Sequence, residues 1–257
     1  MIFDTSFFDG PFPLGTTPRE YELFKFEKVS IDALAAPVSS TKNIYKQRLL
    51  NFFRKETYWR VSGLSGADIS NIPVSVNMFF SGYWQSFCYI EDVLLLLKND
   101  FKVNDRGFSH EYQSVKDSIS SEGCSVAVHV RRGDYVACES AAATFHLCGL
   151  DSYQKAMSFI KSKDKDAKFY IFSDDISWCQ NNFDMDECYF VRNTQSNLED
   201  FELMRRCHHS IIANSSFSWW TAILKDEEEA SLVVVPKDWL KSGESKRNMH
   251  PSYWIEM

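Results

Sequence analysis

Two adjacent arginines follow an apolar segment in the middle of the chain. Residues 125–130 read SVAVHV, with His129 as their only ionisable member. Arg131 and Arg132 come next, and Asp134 completes the pattern H-x-R-R-x-D. Guanidinium groups are permanently charged and donate parallel hydrogen bonds, which suits a pair of them to bind a diphosphate, with Asp134 holding one in place. We favour this interpretation over a purely structural Arg–Asp ion pair at a strand end.

A second polar segment, residues 213–220 (ANSSFSWW), lies where we predict a strand to end and a helix to begin. The first N–H groups of a helix have no carbonyl partner within it and bind phosphate well. The segment is therefore interpreted as a second phosphate-binding surface, formed by Asn214, Ser215, Ser216 and Ser218. The alternative is ordinary capping of the helix by Ser216.

A pair of carboxylates ends a third predicted strand, residues 168–172. Ser173, Asp174 and Asp175 follow it directly. Carboxylates do not face a diphosphate, but they suit a sugar hydroxyl, the edge of a nucleobase or a neighbouring arginine. A solvated turn in which Asp174 or Asp175 caps the next helix is an equally good interpretation.

Asp184 and Asp186 spell D-x-D, a pattern that can hold a divalent cation. They lie between a predicted helix and the strand that follows it, which is the opposite end of the unit from the arginines. We expect no metal site here.

These segments belong to a regular alternation of strands and helices. Strands are predicted at 125–130, 168–172, 188–191, 210–213 and 231–235, and helices at 152–161, 177–182, 198–208 and 217–224. Asn197 is expected to cap the third of these helices. Alternation at this spacing indicates an α/β fold, a parallel sheet with helices on both faces, and ligands of such sheets bind beyond the carboxyl ends of the strands.

The first half of the chain is less regular. It predicts a strand at 76–80 and helices at 43–55 and 89–99. We divide the chain into an N-terminal α/β domain (1–115), a C-terminal Rossmann-like domain (116–236) and a tail (237–257) that packs back on the N-terminal domain.

Charge and composition exclude several classes of protein. The chain has 28 Lys and Arg against 35 Asp and Glu, a net charge of −7, which argues against nucleic acid as a partner. Its seven cysteines contain no C-x-x-C pair, so we expect reduced thiols in a cytoplasmic protein. The longest apolar run, 93–97, is far too short to span a membrane.

The combination of motifs resembles the bacterial α1,2-fucosyltransferases over nearly the whole chain. The segments that carry the resemblance are 129–135 (HVRRGDY), 172–175 (FSDD) and 214–220 (NSSFSWW), joined by 17–23 (TPREYEL), 82–86 (GYWQS) and 148–153 (CGLDSY). The resemblance implies a GT-B-like architecture, in which two Rossmann-like domains face a cleft. It also implies inverting, metal-independent transfer of fucose from GDP-fucose, with no cofactor, to the 2-hydroxyl of a terminal β-galactoside.

The resemblance also implies roles for individual residues. Arg131 and Arg132 would hold the diphosphate, with Asp134 and His129 positioning them. Ser215, Ser216 and Phe217 would supply amides and hydroxyls to the phosphates, and 173–175 would lie near the guanosine or the fucose. For the catalytic base, related α1,6-fucosyltransferases place a glutamate at the offset of Glu139, so Glu139 is the first candidate, with His129 and Asp134 behind it.

One departure from the family concerns its glycine-rich loop. Family members begin with a strand, the loop G-G-L-G-N-Q and a helix, whereas this chain opens on a segment that resembles their second strand, so we expect an incomplete N-terminal domain. An inactive or fragmentary nucleotide- or glycan-binding relative therefore stays open, as does an inverting glycosyltransferase with another donor or acceptor. Peripheral contact with the inner face of the cytoplasmic membrane and the oligomeric state also stay open.

Overall fold

The computed structural model describes residues 22–26, 28–29, 59–63, 78–82, 85–225, 231–241 and 249–257. The helix expected at 43–55 and most of the motif at 17–23 lie outside these residues. From the first half, the described part contains a pair of parallel strands, β1 (Trp59–Gly63) and β2 (Met78–Gly82), and the helix α1 (Leu94–Asp100). The strand expected at 76–80 is thus present two residues later, and 89–99 becomes a helix only in its second half.

The second half of the chain forms a six-stranded parallel sheet in the order β5-β4-β3-β6-β7-β8. Its strands are β3 (Ser125–Val130), β4 (Lys168–Ser173), β5 (Cys188–Phe190), β6 (His209–Ile211), β7 (Val233–Val235) and β8 (Ile255–Glu256). Counted from β3, this is the order 3-2-1-4-5-6 of doubly wound nucleotide-binding folds. The predicted α/β class and the parallel sheet are confirmed.

Helices cover both faces of this sheet. They are α2 (His110–Ser121), α3 (Gly133–Ala137), α4 (Glu139–Thr144), α5 (Leu150–Lys163), α6 (Ile176–Asn182), α7 (Asn197–Arg206) and α8 (Ser216–Ile223). Successive side chains of β3 alternate between the faces, because a strand has a period of two. Val126, Val128 and Val130 pack in a cluster with α5, whereas Ala127 packs in a cluster with α2 and α7.

The helix α2 contains the predicted boundary between the N-terminal and C-terminal domains. A boundary after residue 115 would divide α2, which is one continuous helix capped by Ser109 and packed on the second sheet through Tyr112, Val115 and Ile119. The preceding connection is fixed as well, since Asp105 accepts from Lys116 at 2.6 Å. By its packing, α2 thus belongs with the second sheet.

The tail contributes to the second sheet through β8, which pairs with β7. Its residues Trp239, Met249 and Trp254 also share an apolar cluster with Phe26 from the first half of the chain. The tail thus completes the sheet and belongs to a core that includes an N-terminal residue.

Candidate functional site

The predicted motifs meet at one place in the sheet. β3 and β6 are neighbours, and the chain winds away from them in opposite directions. The crevice beyond the carboxyl ends of two such strands is where doubly wound folds bind their ligands. The arginine pair follows β3 and the segment 212–216 follows β6, so both candidate phosphate-binding surfaces lie at this crevice.

Arg131 is held between two carboxylates. Its Nη2 lies 2.6 Å from Asp134 Oδ1 and its Nη1 lies 2.8 Å from Asp174 Oδ2. Asp134 is buried, and hydrogen bonds between charged groups are short and strong, so the guanidinium is fixed in one orientation. The expected pairing of Asp134 with an arginine is thus present.

Arg132 is fixed by a second set of contacts. Its backbone N–H donates to Asp174 Oδ1 at 2.8 Å, and its Nε donates to Asp175 Oδ2 at 3.2 Å. Its guanidinium carbon lies 4.1 Å from the ring centroid of Trp178, a cation–π distance. Of the partners that the sequence allowed for Asp174 and Asp175, the structure shows the neighbouring arginines. Asp175 also caps α6, because its Oδ1 accepts from the N–H of Trp178.

The turn after β4 is built to bring Asp174 close to the arginines. Ser173 Oγ accepts from the N–H of Asp175 at 2.9 Å, which shapes this turn. On the other side, a Cβ placed on Gly133 would lie 2.5 Å from Asp174 Oδ2. Only glycine leaves room for this approach at the start of α3.

The first turn of α8 presents backbone N–H groups at the same crevice. Ser215 is its N-cap and makes no capping hydrogen bond with its side chain; Ser216 is exposed and is the first helical residue. The structure thus places the cap one residue before the position that the sequence predicts. The Ser218 hydroxyl donates to the backbone carbonyl groups of Ala213 and Ser215, which stabilises the loop before α8.

Asn214 is buried and its side chain is occupied within the protein. The amide donates to the carbonyl groups of His146 at 2.5 Å and Trp239 at 2.9 Å. The backbone carbonyl of Asn214 accepts from the Tyr135 hydroxyl at 2.8 Å. In this structure Asn214 therefore joins the loop before α8 to the tail and to the arginine segment.

His129 lies below the crevice, at the end of β3. It is buried, its ring centroid lies 5.7 Å from that of Phe217, and its Nδ1 has no hydrogen-bond partner among the described residues. Burial, with a smaller contribution from Arg131, lowers the pKa of His129 to about 3. The imidazole is therefore neutral and a weak base near neutral pH. In the described part of the chain it makes no hydrogen bond to either arginine, and its ring packs beside Phe217 instead.

Glu139 stands apart from this network. It is exposed at the first position of α4 and forms no hydrogen bond or ion pair with the residues that the structure describes. Asp184 and Asp186 lie in an exposed turn before β5, where Asp184 Oδ1 accepts from the N–H of Asp186. In the described part of the chain, no three His, Cys, Asp or Glu residues are grouped to bind a metal ion.

The structure adds residues that the sequence did not single out for this edge. The loop from 191 to 196 follows β5 and contains Asn193 with a φ of 62°, the left-handed region. In the first turn of α7, the Oδ1 of Asp200 is buried without a partner among the described residues, and burial raises the pKa of this carboxyl to about 6. The Oδ1 of Asp200 is thus an unused hydrogen-bond acceptor near the crevice.

The geometry defines a class of site, a phosphate-binding crevice at the switch point of a doubly wound sheet, and comparison with known proteins supplies the family. The sequence profile of Glycosyl transferase family 11 matches residues 24–256, almost the entire chain. The chain therefore belongs to glycosyl transferase family 11. The resemblance to the α1,2-fucosyltransferases that the motifs carry is confirmed.

Three relatives illustrate the range of the family. The O-antigen biosynthesis glycosyltransferase WbnK of Escherichia coli is 29% identical over 66% of this chain and 60% of its own length. An α-1,2-colitosyltransferase of Escherichia coli is 31% identical over 69% of this chain and 62% of its own. The galactoside α-(1,2)-fucosyltransferase 1 of Rattus norvegicus is 33% identical over 51% of this chain and 36% of its own. The chain thus matches about three fifths of the length of the two bacterial relatives. No helix in the described ranges is long and apolar enough to cross a membrane.

Proposed function

We propose that the chain transfers fucose from GDP-fucose, with inversion, to the 2-hydroxyl of a terminal β-galactoside during the synthesis of a surface glycan. The observation that carries this proposal is the pair Arg131 and Arg132 at the switch point of the sheet, opposite the first turn of α8. Two fixed guanidinium groups and a helix N-terminus are what a nucleoside diphosphate requires.

The same groups stabilise the leaving diphosphate. As the bond between the anomeric carbon and the phosphate oxygen breaks, negative charge grows on that oxygen. Arg131 and Arg132 are already oriented by Asp134, Asp174 and Asp175, so little reorganisation accompanies the reaction. The N–H groups at Ser216 and Phe217 add donors, and the neutralisation uses no metal ion.

The acceptor hydroxyl gives up its proton as it attacks, and Glu139 is the base that the proposal favours. Asp134 is already engaged in an ion pair with Arg131, and the neutral His129, with a pKa of about 3, accepts a proton poorly. The carboxylate of Glu139 is exposed and is not used by the described residues. In the proposed two-domain GT-B-like arrangement, residues 1–115 form the acceptor side of the cleft.

A second candidate function differs only in the donor sugar. One relative is named as an α-1,2-colitosyltransferase and others as α-(1,2)-fucosyltransferases, so the linkage is common to these names while the sugar changes. Transfer of another sugar to the same kind of acceptor position is therefore the runner-up.

Calorimetric titration with GDP, followed by a transfer assay with GDP-fucose and lactose, tests the proposal. We expect Arg132→Ala to weaken GDP binding at least tenfold, as loss of a charge-assisted contact implies. The exposed Arg106 is the matched control, because Arg106→Ala removes a guanidinium that is not part of the network of Arg131 and Arg132. Activity should persist in EDTA. Absence of GDP binding by the wild-type chain refutes the proposal, and binding without transfer points to the inactive relative.

A further inference from the structure

The loop from 191 to 196, at the donor edge, is anchored by one buried carboxylate. Glu199, which is 2% exposed, accepts the backbone N–H of Gln195 at 2.8 Å through Oε2. The same carboxylate accepts from Ser109 twice, from its N–H at 2.7 Å and from its hydroxyl at 2.8 Å. A single side chain therefore joins two segments that are far apart in sequence.

These two segments have different positions in the molecule. Gln195 ends the loop that follows β5, at the same edge of the sheet as the arginines. Ser109 is the N-cap of α2, the helix that precedes β3. We propose that Glu199 is a positioning residue for the nucleotide donor, holding the 191–196 loop in place and coupling it to the start of α2.

The conformation of the loop shows why it needs an anchor. Asn193 has a left-handed backbone, which costs a non-glycine residue free energy unless surrounding contacts fix it. A common capping arrangement has the N3 glutamate bond to the N–H of its own N-cap residue. Here Ser196 caps α7 by accepting from the N–H of Glu199, but the carboxylate reaches Gln195 and Ser109 instead.

The anchor also fixes the next residue. Asp200 follows Glu199 in the first turn of α7, and its Oδ1 is the buried acceptor without a partner. The ring of Phe201 packs edge-to-face on that of Phe217, with 5.7 Å between the ring centroids, which links this turn to α8. A shift of Glu199 would therefore displace both the loop and an acceptor beside the crevice.

The test compares two glutamates of one helix, and it rests on the proposed function. Glu199→Gln keeps the size of the side chain, but an amide has only one oxygen to accept the three hydrogen bonds. We expect the Kd for GDP and the KM for GDP-fucose to rise about tenfold, with kcat changed less than about threefold. Glu202→Gln is the matched control, because the buried Glu202 lies on the same helix and pairs with Arg205 and Arg206.

Thermal unfolding of each variant separates positioning from stability. GDP binding unchanged in folded Glu199→Gln overturns the inference, as does an equal loss in Glu202→Gln at the same fall in Tm. If Glu199→Gln fails to fold, Ser109→Ala is the second variant, because it removes one of the three hydrogen bonds to Glu199. GDP binding should then weaken by a smaller factor and be restored in Ser109→Thr. GDP binding unchanged in Ser109→Ala overturns the inference. A wild-type chain that does not bind GDP refutes the proposed function itself.

Discussion

Replacing Gly133 with alanine would test the close approach of Asp174 to the arginine segment. In the first turn of a helix, this exchange normally stabilises a protein by about 0.5–1 kcal/mol, because alanine restricts the unfolded chain. Here the new Cβ would lie 2.5 Å from Asp174 Oδ2 and 3.0 Å from its Cγ. The carboxylate must therefore retreat.

The structure gives the size of the effect. An ordinary contact needs at least 3.4 Å, so Oδ2 must move by about 0.9 Å. This stretches its 2.8 Å bond to Arg131 and strains the bond from the N–H of Arg132. Each charge-assisted hydrogen bond contributes about 1.5–3 kcal/mol, so the net change should be a destabilisation of about 1–3 kcal/mol. The orientation of Arg131 is lost as well, and GDP should bind about tenfold more weakly.

Denaturant unfolding and GDP titration measure the two effects. Gly107→Ala is the control, because nothing lies within 4 Å of a Cβ at that position, and its stability should stay equal or rise slightly. The opposite signs of the two exchanges are the decisive result. If Gly133→Ala is as stable as Gly107→Ala and binds GDP like the wild type, Asp174 does not hold Arg131 as described.

Further predictions concern single side chains at the crevice. Trp178→Leu removes the ring beside Arg132 and should weaken GDP binding about tenfold, by about 1–2 kcal/mol. Trp178→Phe should retain part of the affinity, and a Trp178→Leu variant that binds GDP as tightly as Trp178→Phe would contradict the cation–π contact. His129 has a folded pKa of about 3, below its unfolded value near 6.5, so its contribution is lost as the pH falls below 6.5. The wild type should lose about 2 kcal/mol more than His129→Phe between pH 7 and pH 5, and identical losses would refute this. Asp200 has a folded pKa of about 6 against 3.8, so the wild type should lose up to about 3 kcal/mol as the pH rises from 4 to 7, and Asp200→Asn should lack this loss in unfolding measurements at both pH values.

Elements with a strong apolar pattern could be predicted from the sequence, and weakly apolar ones could not. β3 has the bounds that its run of apolar residues predicts, since it is buried on both faces. α2 was not expected, because only Tyr112, Val115 and Ile119 of its twelve residues are buried. The serine that caps it was the local signal. Ser196 rather than Asn197 caps α7, a one-residue difference of the kind that periodicity does not resolve.

The pairing of charges at the site depended on tertiary structure. The sequence left Asp174 and Asp175 with several interpretations, and the choice of the arginines follows from β4 lying beside β3. Arg132 follows β3 whereas Trp178 lies on α6, after β4, so no local spacing in the sequence indicates their contact. Glu199 and Asp200 lie in the first turn of α7, and the burial of Glu199 against Ser109 and Gln195 depends on segments that are distant in sequence or turn back on the helix.

The charge balance of the crevice has a consequence for the kinetics of donor binding. Two guanidinium groups face the three carboxylates of Asp134, Asp174 and Asp175, and the whole chain has a net charge of −7. A diphosphate approaching from a distance is therefore repelled and gains nothing from electrostatic steering. Added salt screens this repulsion, so the association rate should rise with ionic strength. The affinity would then reside in slow dissociation, once the short-range hydrogen bonds have formed.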